Sequence, residues 1–228
     1  MCQSPTNLRG MRQTALISSL PSKLCRALKR AIPSAMATAI HELRGLTRAQ
    51  RVRYLRTLIS DEQLRSLPNG LDGHSRVVFV CHGNIFRSPM AEALFAEELK
   101  RRDLPLHGVS SAGLFARDGR EAHASGVEVA RISGISLDAH RARLLTAKVV
   151  ADSDLLVIMD RMNAAAILER FPEASERVVL LGAFDPEVER FGVAIPDPYG
   201  QSREEVVACY GRIGRAIREL ANRIVEPR

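Results

Sequence analysis

Four strand-like runs constrain the architecture of this chain more than anything else in it: RVVFVC at 76–81, HGVSSAG at 107–113, DLLVIMD at 154–160 and RVVLLG at 177–182. Between and after them, apolar residues recur at helical spacing over 88–102, 121–134, 161 to about 170, and 202–224. In the last of these, Val206, Tyr210, Ile213, Ile217 and Leu220 fall on one face. Strands without polar alternation need cover on both faces, and strands separated by helices run parallel. The expected fold is therefore α/β: a four-stranded, Rossmann-like parallel sheet with helices on both faces, preceded by a basic, partly helical extension. Ligands of such sheets gather at the carboxyl ends of strands, and the first strand ends on a thiol, Cys81.

The loop after that strand reads CHGNIFRSP at 81–89. A loop between a parallel strand and a helix N-terminus is a natural anion site, where backbone N–H groups converge and the helix dipole adds partial positive charge. Gly83 permits unusual dihedrals, and Asn84 tolerates the left-handed region. Ser88 is suited to cap the following helix, with Pro89 in its first turn. Arg87 offers a planar fork matched to two phosphate oxygens. A cysteine at the centre of such a cradle is favoured as thiolate and becomes a nucleophile for phosphorus. A plain buried cysteine at a strand end would explain Cys81, but not the Gly-Asn pair, Arg87 and Ser-Pro together.

A thiolate attacking an aryl phosphate needs an acid for the leaving oxygen, because a phenol of pKa about 10 leaves poorly as its anion. Two Asp-Pro loops offer one. Asp197 lies between prolines in IPDPYG with Tyr199 beside it, and Asp185 lies in the more acidic FDPEVER. Loop aspartates are commonly solvated or cap helices, so spacing leaves both open.

Charge is unevenly placed. Residues 1–76 hold 13 Lys/Arg against 4 Asp/Glu, and residues 77–228 hold 20 against 22. The basic character thus belongs to the front segment. That segment has one aromatic residue, Tyr54, and no nucleic-acid-binding motif, so nucleic acid is not the expected partner. Residues 1–41 resemble a transit peptide in composition; a basic tail, or a start at Met11 or Met36, accounts for them equally. Helices are expected over 47–67, capped by Thr47 and Ser60, and PNGLDG at 68–73 marks the boundary between an extension, 1–73, and a main domain, 74–228. The cysteines at 2, 25, 81 and 209 form no C-x-x-C pair, which argues against a disulfide framework or a metal site and for a reducing compartment. No apolar run approaches the length of a membrane span.

With VCHGNIFRSP, SAG at 111–113, HRAR at 140–143, IMD at 158–160 and DPYG at 197–200 in this order, the chain from about 77 to 225 resembles the low-molecular-weight protein tyrosine phosphatases. The resemblance implies their phosphatase fold and a cytoplasmic phosphotyrosine phosphatase that works through a phosphocysteine intermediate without metal or cofactor. It implies Cys81 as nucleophile, Arg87 as phosphate clamp, and Asp197 as acid and then base. His82, Gly83, Asn84, Ile85, Phe86 and Ser88 would form the substrate cradle, with Ser88 bonding the thiolate and Asn84 held by His140. Tyr199 would line the slot for the substrate ring, and Ile85 would stand at its lip. The implied partner is a phosphotyrosine protein, a bacterial tyrosine autokinase that controls polysaccharide export being the expected kind.

The chain departs from the family in three places. Phe86 stands where a second cysteine is frequent. The loop after SAG reads LFARDGR, leaving open whether Phe115 or Arg117 faces the pocket, and the basic extension has no counterpart. Three alternatives share the loop. An arsenate reductase needs relay cysteines, and 82–208 contains none. A phosphoarginine phosphatase would carry threonine in place of Ile85. An inactive phosphate-binding module would not require Cys81, Arg87 and Asp197 together.

Overall fold

The computed structural model describes residues 62–105, 108–187 and 192–225. The tail, the Thr47 helix and the capping residue Ser60 lie outside the described residues. Of the second short helix, a single 3-10 turn appears, Gln63–Arg65.

The sheet has four parallel strands, β1 (Val77–Cys81), β2 (Val109–Gly113), β3 (Leu155–Ile158) and β4 (Val178–Leu180), in the order β2-β1-β3-β4. All five residues of β1 are buried. Its position between β2 and β3 explains its composition, since both edges are paired and both faces covered. Alternation sends Val77, Phe79 and Cys81 into one apolar layer and Val78 and Val80 into the other.

The first layer is closed by α1 (Arg87–Lys100), α2 (Ala124–Ile132) and α5 (Arg203–Val225). The five α5 positions read from the sequence are all buried there, with Cys209, Ala216, Ala221 and Ile224 beside them. A buried Leu or Ile side chain contributes about 1.5–3 kcal/mol, so this face alone secures α5 to the sheet. The second layer is closed by α3 (Ala147–Ala151) and α4 (Arg161–Arg170). It also takes in Leu64 from the 3-10 turn, at 1% exposure. A segment read as extension thus fills part of the core.

Helix α2 is shorter than the expected 121–134 because Glu121 bridges to Arg141 instead of entering the helix. At its other end Gly134, with φ of +75°, closes the helix in the left-handed conformation. Helix α3, absent from the sequence reading, is capped by Thr146, whose Oγ1 accepts the Val149 N–H at 3.3 Å.

The chain leaves β1 for β2 on one side and later returns to β3 on the other. The carboxyl end of β1 is therefore where the connections diverge, opening a crevice above Cys81.

Candidate active site

Five residues separate Cys81, at the end of β1, from Arg87, the first residue of α1. The turn between them depends on Asn84, which adopts φ of +54°. Asparagine visits this region more readily than other side-chain-bearing residues. Gly83 does not share it: its φ is not positive, and a Cβ there would meet only Ile85 Cγ1 at 3.6 Å. The permissive role expected of Gly83 thus falls to its neighbour. The glycine this loop requires is Gly113 on β2, where a Cβ would lie 2.8 Å from the Asn84 amide nitrogen.

Asn84 is fully buried and fully bonded. Its Nδ2 donates to Ser88 Oγ at 2.9 Å and Ser111 Oγ at 2.8 Å, and its Oδ1 accepts the Arg143 N–H at 2.9 Å. His140 Nε2 lies 2.8 Å from its carbonyl oxygen. A carbonyl can only accept, so that nitrogen carries the proton. These bonds hold a backbone conformation that would otherwise relax.

The same bonds set a direction of donation. Ser88 Oγ already accepts from Asn84, which leaves its own hydrogen for the Cys81 sulfur at 3.0 Å. The Asn84 backbone N–H points at the same sulfur from 3.3 Å. Ser111 Oγ accepts from Asn84 and passes its hydrogen to Glu92 on α1. Ser88 is therefore not the expected helix cap. Helix α1 begins one residue earlier, after Phe86, without a side-chain cap, and the serine hydroxyl turns back to the sulfur instead. Two donors and a helix N-terminus converge on Cys81, an arrangement that favours negative charge there.

Arg87 is 2% exposed. Its Nη1 donates to Asp160 at 2.7 Å and to the Ile195 carbonyl at 3.0 Å, and its Nη2 donates to Asp197 at 2.6 Å. Burial alone would lower its pKa; Asp160, the Cys81 sulfur and Asp197 outweigh that and raise it. The buried Nε has no acceptor among the described residues.

Of the two Asp-Pro loops, the one carrying Asp197 reaches the cradle. Asp185 is buried elsewhere, with Arg215 Nε and Nη2 at 2.9 and 3.0 Å. Burial would raise its pKa, but the Arg215 bonds, the Glu187 N–H and the nearby Arg212 hold it below the usual carboxylate range. It ties the loop to α5 and does not face the cradle.

Aromatic residues stand around the opening. Tyr199 is exposed and meets the rings of Phe86 and His123 edge-on, at 6.4 and 5.7 Å. Phe86 is buried, stacked on His123 at 4.5 Å, and fits because Gly126 of α2 leaves room for it. Ile85 is also buried, packed in the core layer under the loop, so it does not stand at an open lip as expected. Phe115, 61% exposed, packs its ring on His82 at 4.8 Å, and its N–H bonds the His82 carbonyl at 2.9 Å. Of Phe115 and Arg117, Phe115 is thus the one set against the Cys81–Arg87 loop.

Several contributors were not singled out by sequence: Asp160, Ser111, Glu92, Arg143 and His123. Ser111, Arg143 and Asp160 lay inside the SAG, HRAR and IMD runs without a role being assigned to them, and Asp160 gave a further signal as a carboxylate at the carboxyl end of a strand. It serves twice, since its Oδ1 also caps α4 by accepting the Asn163 N–H at 2.7 Å.

Residues 76–228 match the family model for low molecular weight phosphotyrosine protein phosphatases. The chain is 36% identical over 147 residues to the low molecular weight protein-tyrosine-phosphatase Wzb of Salmonella typhi, an alignment covering 64% of this chain and 92% of that protein. Among solved structures, the tyrosine phosphatase Wzb from Escherichia coli K30, in complex with sulphate, is similar with a TM-score of 0.58 and 29% identity, over 65% of this chain and 96% of that one. The YwlE arginine phosphatase from Geobacillus stearothermophilus is similar with a TM-score of 0.57 and 34% identity, over 66% and 92%.

Proposed function

Because the chain belongs to the low molecular weight phosphotyrosine protein phosphatase family, we propose that it hydrolyses phosphotyrosine in proteins, and small aryl phosphates, through a phosphocysteine intermediate on Cys81. One observation carries this reading: the Cys81 sulfur receives the Ser88 hydroxyl and the Asn84 N–H in a loop that ends on a buried arginine. A cysteine kept only for packing has no use for two hydrogen-bond donors and an adjacent guanidinium.

In this mechanism the phosphoryl oxygens enter the loop and take the Arg87 fork, including its acceptor-less Nε. The guanidinium gains acceptors, which releases Asp197 from it. Sulfur forms the S–P bond as the bond from phosphorus to the aryl oxygen breaks, and the Asp197 carboxylic acid protonates that oxygen. Asp197, now a carboxylate, then takes a proton from water as the water oxygen attacks phosphorus. The S–P bond breaks, and inorganic phosphate and the thiolate are released. His82, Gly83, Asn84, Ile85 and Phe86 shape the loop, with Ser88 on the sulfur, and His140 fixes the Asn84 turn. Tyr199 and Phe115, exposed rings beside Phe86 and His82, offer apolar faces to a flat substrate ring.

The substrate is a phosphotyrosine protein, for which a tyrosine autokinase is the partner suggested by the resemblance, and the setting is the cytoplasm. No described helix is long and apolar enough to cross a membrane. The catalytic domain is taken as 74–228, with Leu64 as an added core contact. Phosphoarginine is the second reading, favoured by the similarity to a YwlE arginine phosphatase. The aromatic flanks and the absence of threonine at position 85 favour phosphotyrosine.

Hydrolysis of p-nitrophenyl phosphate in the presence of a chelator tests the reaction. The wild type should turn over, Cys81→Ser should be inactive, and Asp197→Ala should lose roughly 10²–10⁴-fold. A larger loss with Asp185→Ala would overturn the choice of acid. Side-by-side turnover of phosphotyrosine and phosphoarginine peptides decides the substrate, and equal rates would defeat the aromatic reading.

A further inference from the structure

The loop after β2 carries two arginines that the chemistry above does not use. Arg117 and Arg120 are exposed, and neither has a carboxylate partner among the described residues. Neighbouring charges are differently placed. Arg141 pairs with Glu121, Arg131 with Asp138 and Arg203 with Glu128.

The segment that presents them is held firmly. Leu114 and Phe115 donate their N–H groups to the Cys81 and His82 carbonyls at 3.0 and 2.9 Å, which locks the loop to the phosphate-binding turn. Farther along, Asp118 Oδ1 accepts the Leu144 N–H at 2.7 Å, and Gly119 N–H reaches the Ala142 carbonyl at 2.8 Å. Ala142 N–H returns to the Arg120 carbonyl at 2.7 Å. Asp118 is thus occupied with the backbone, and Gly119 takes φ of +79° to complete the turn. What remains free on this rigid rim is Phe115 and two guanidinium groups.

We propose that Arg117 and Arg120 select substrates in which acidic side chains flank the phosphotyrosine. This rests on the phosphotyrosine reading of the cradle and adds to it the class of peptide. Reach supports it. Arg117 is two residues from Phe115, whose ring stands on His82, so its Cα lies at most about 7 Å from that of Phe115, and Arg120 turns back toward it, its N–H bonding the Arg117 carbonyl at 3.2 Å. An extended peptide with its phosphotyrosine in the cradle advances by the same step. Residues two to four positions from the phosphotyrosine therefore pass the guanidinium groups, which lose no intramolecular pair in meeting a carboxylate. An Arg–carboxylate contact is often bidentate, and a fixed loop loses little freedom in forming it. Exposed charge pairs are individually weak, so the effect of two is a preference, not an absolute requirement.

The test compares three probes on the full chain: p-nitrophenyl phosphate, a phosphotyrosine peptide with Asp and Glu flanks, and the same peptide with Asn and Gln flanks. The expected kcat/KM ratio of acidic to neutral peptide is about three- to tenfold at low salt, shrinking as salt is added. In the Arg117→Gln/Arg120→Gln double variant the ratio should fall to near one. The Arg117→Lys/Arg120→Lys variant should keep most of it. Arg218→Gln, which removes an exposed charge on α5, should leave the ratio as it is. Equal rates for the two peptides in the wild type, or a ratio that survives the Gln variant, would overturn the inference while leaving the phosphatase reading intact. A ratio lost equally with Arg218→Gln would overturn it in favour of net charge. Failure of the wild type on p-nitrophenyl phosphate and on both peptides would defeat the phosphatase reading and this inference together.

Discussion

Replacing Asp160 separates its two duties. Its Oδ2 holds Arg87 Nη1 at 2.7 Å, and its Oδ1 caps α4 at 2.7 Å. In Asp160→Ala both are lost, and the guanidinium, 2% exposed, keeps the Ile195 carbonyl and one carboxylate, Asp197, whose side chain is 43% exposed. Removing one partner of a buried pair costs about 3–5 kcal/mol. Asp160 is itself 18% exposed and a second carboxylate remains, so a figure of about 2–3 kcal/mol is appropriate for the charge. The lost cap adds about 1 kcal/mol. A total near 3–4 kcal/mol lowers Tm by roughly 10 °C in a domain of this size. Asp160→Asn has one oxygen for the two duties: with it on the Asn163 N–H the cap is kept, but the amide nitrogen then faces Arg87 Nη1, donor against donor, so the charge and the Arg87 bond are lost for about 2–3 kcal/mol. Urea unfolding of the three proteins gives these differences directly. The order expected is wild type above Asn above Ala, with both variants lower in kcat/KM on an aryl phosphate. An Ala variant within about 0.5 kcal/mol of wild type, below what the lost cap alone should cost, would refute the claim that Asp160 holds the clamp.

The Asp185 pair should make stability depend on acid pH. Its folded pKa is depressed, so its contribution is complete above about pH 4, where the unfolded carboxyl is ionised, and is lost as pH falls through the lower folded value. Asp185→Asn should therefore cost about 2–4 kcal/mol at pH 7 and progressively less toward pH 2, read by unfolding at each pH. Of Cys81 and Cys209, only Cys81 should be alkylated by iodoacetamide at pH 8, because burial pushes the Cys209 thiol up to about 12; peptide mass spectrometry checks it. With Phe86 beside the arginine and Cys209 buried, peroxide should carry Cys81 to a sulfinic acid that dithiothreitol does not reverse, and phosphate should protect. Full recovery with a Cys81 disulfide would refute this. Leu64→Ala should cost about 2–5 kcal/mol by denaturant unfolding, and a chain beginning at residue 74 should be less stable than one beginning at 62.

The elements that were legible are those whose apolar pattern leaves one way to be buried. The strand runs around Val78, Leu156 and Val179, and the α5 face through Ile213 and Ile217, need no knowledge of their partners. The order Cys81, Asn84, Arg87, Ser88 was legible too, because a strand–turn–helix anion cradle is a local structure. Contacts made across the fold were not legible from local pattern; Ser88 on the sulfur and His140 on Asn84 came only from the family resemblance. Whether Ser88 caps its helix or turns to the sulfur depends on Asn84 Nδ2 occupying its acceptor side, which in turn depends on Ser111 from β2 and Arg143 from a loop. Ile85 reads as an exposed apolar residue until the core layer beneath the loop is known. Gly113 and Gly126 look unremarkable in sequence, yet a Cβ on either would displace the Asn84 turn or the Phe86 ring. Asp160 resembles any helix cap and gives no hint of its second oxygen.

The most direct test of the account is to look for the covalent intermediate. The Asp197→Ala variant should accept a phosphoryl group from a good aryl leaving group but hydrolyse the resulting thiophosphate slowly. Mixing it with p-nitrophenyl phosphate, quenching, and mapping peptides by mass spectrometry should find the added phosphoryl mass on Cys81. It should be absent when Cys81→Ser is introduced and reduced by competing inorganic phosphate. A phosphoryl group on another residue, or p-nitrophenol release by a Cys81→Ser protein at the wild-type rate, would contradict the assignment of Cys81 as the nucleophile.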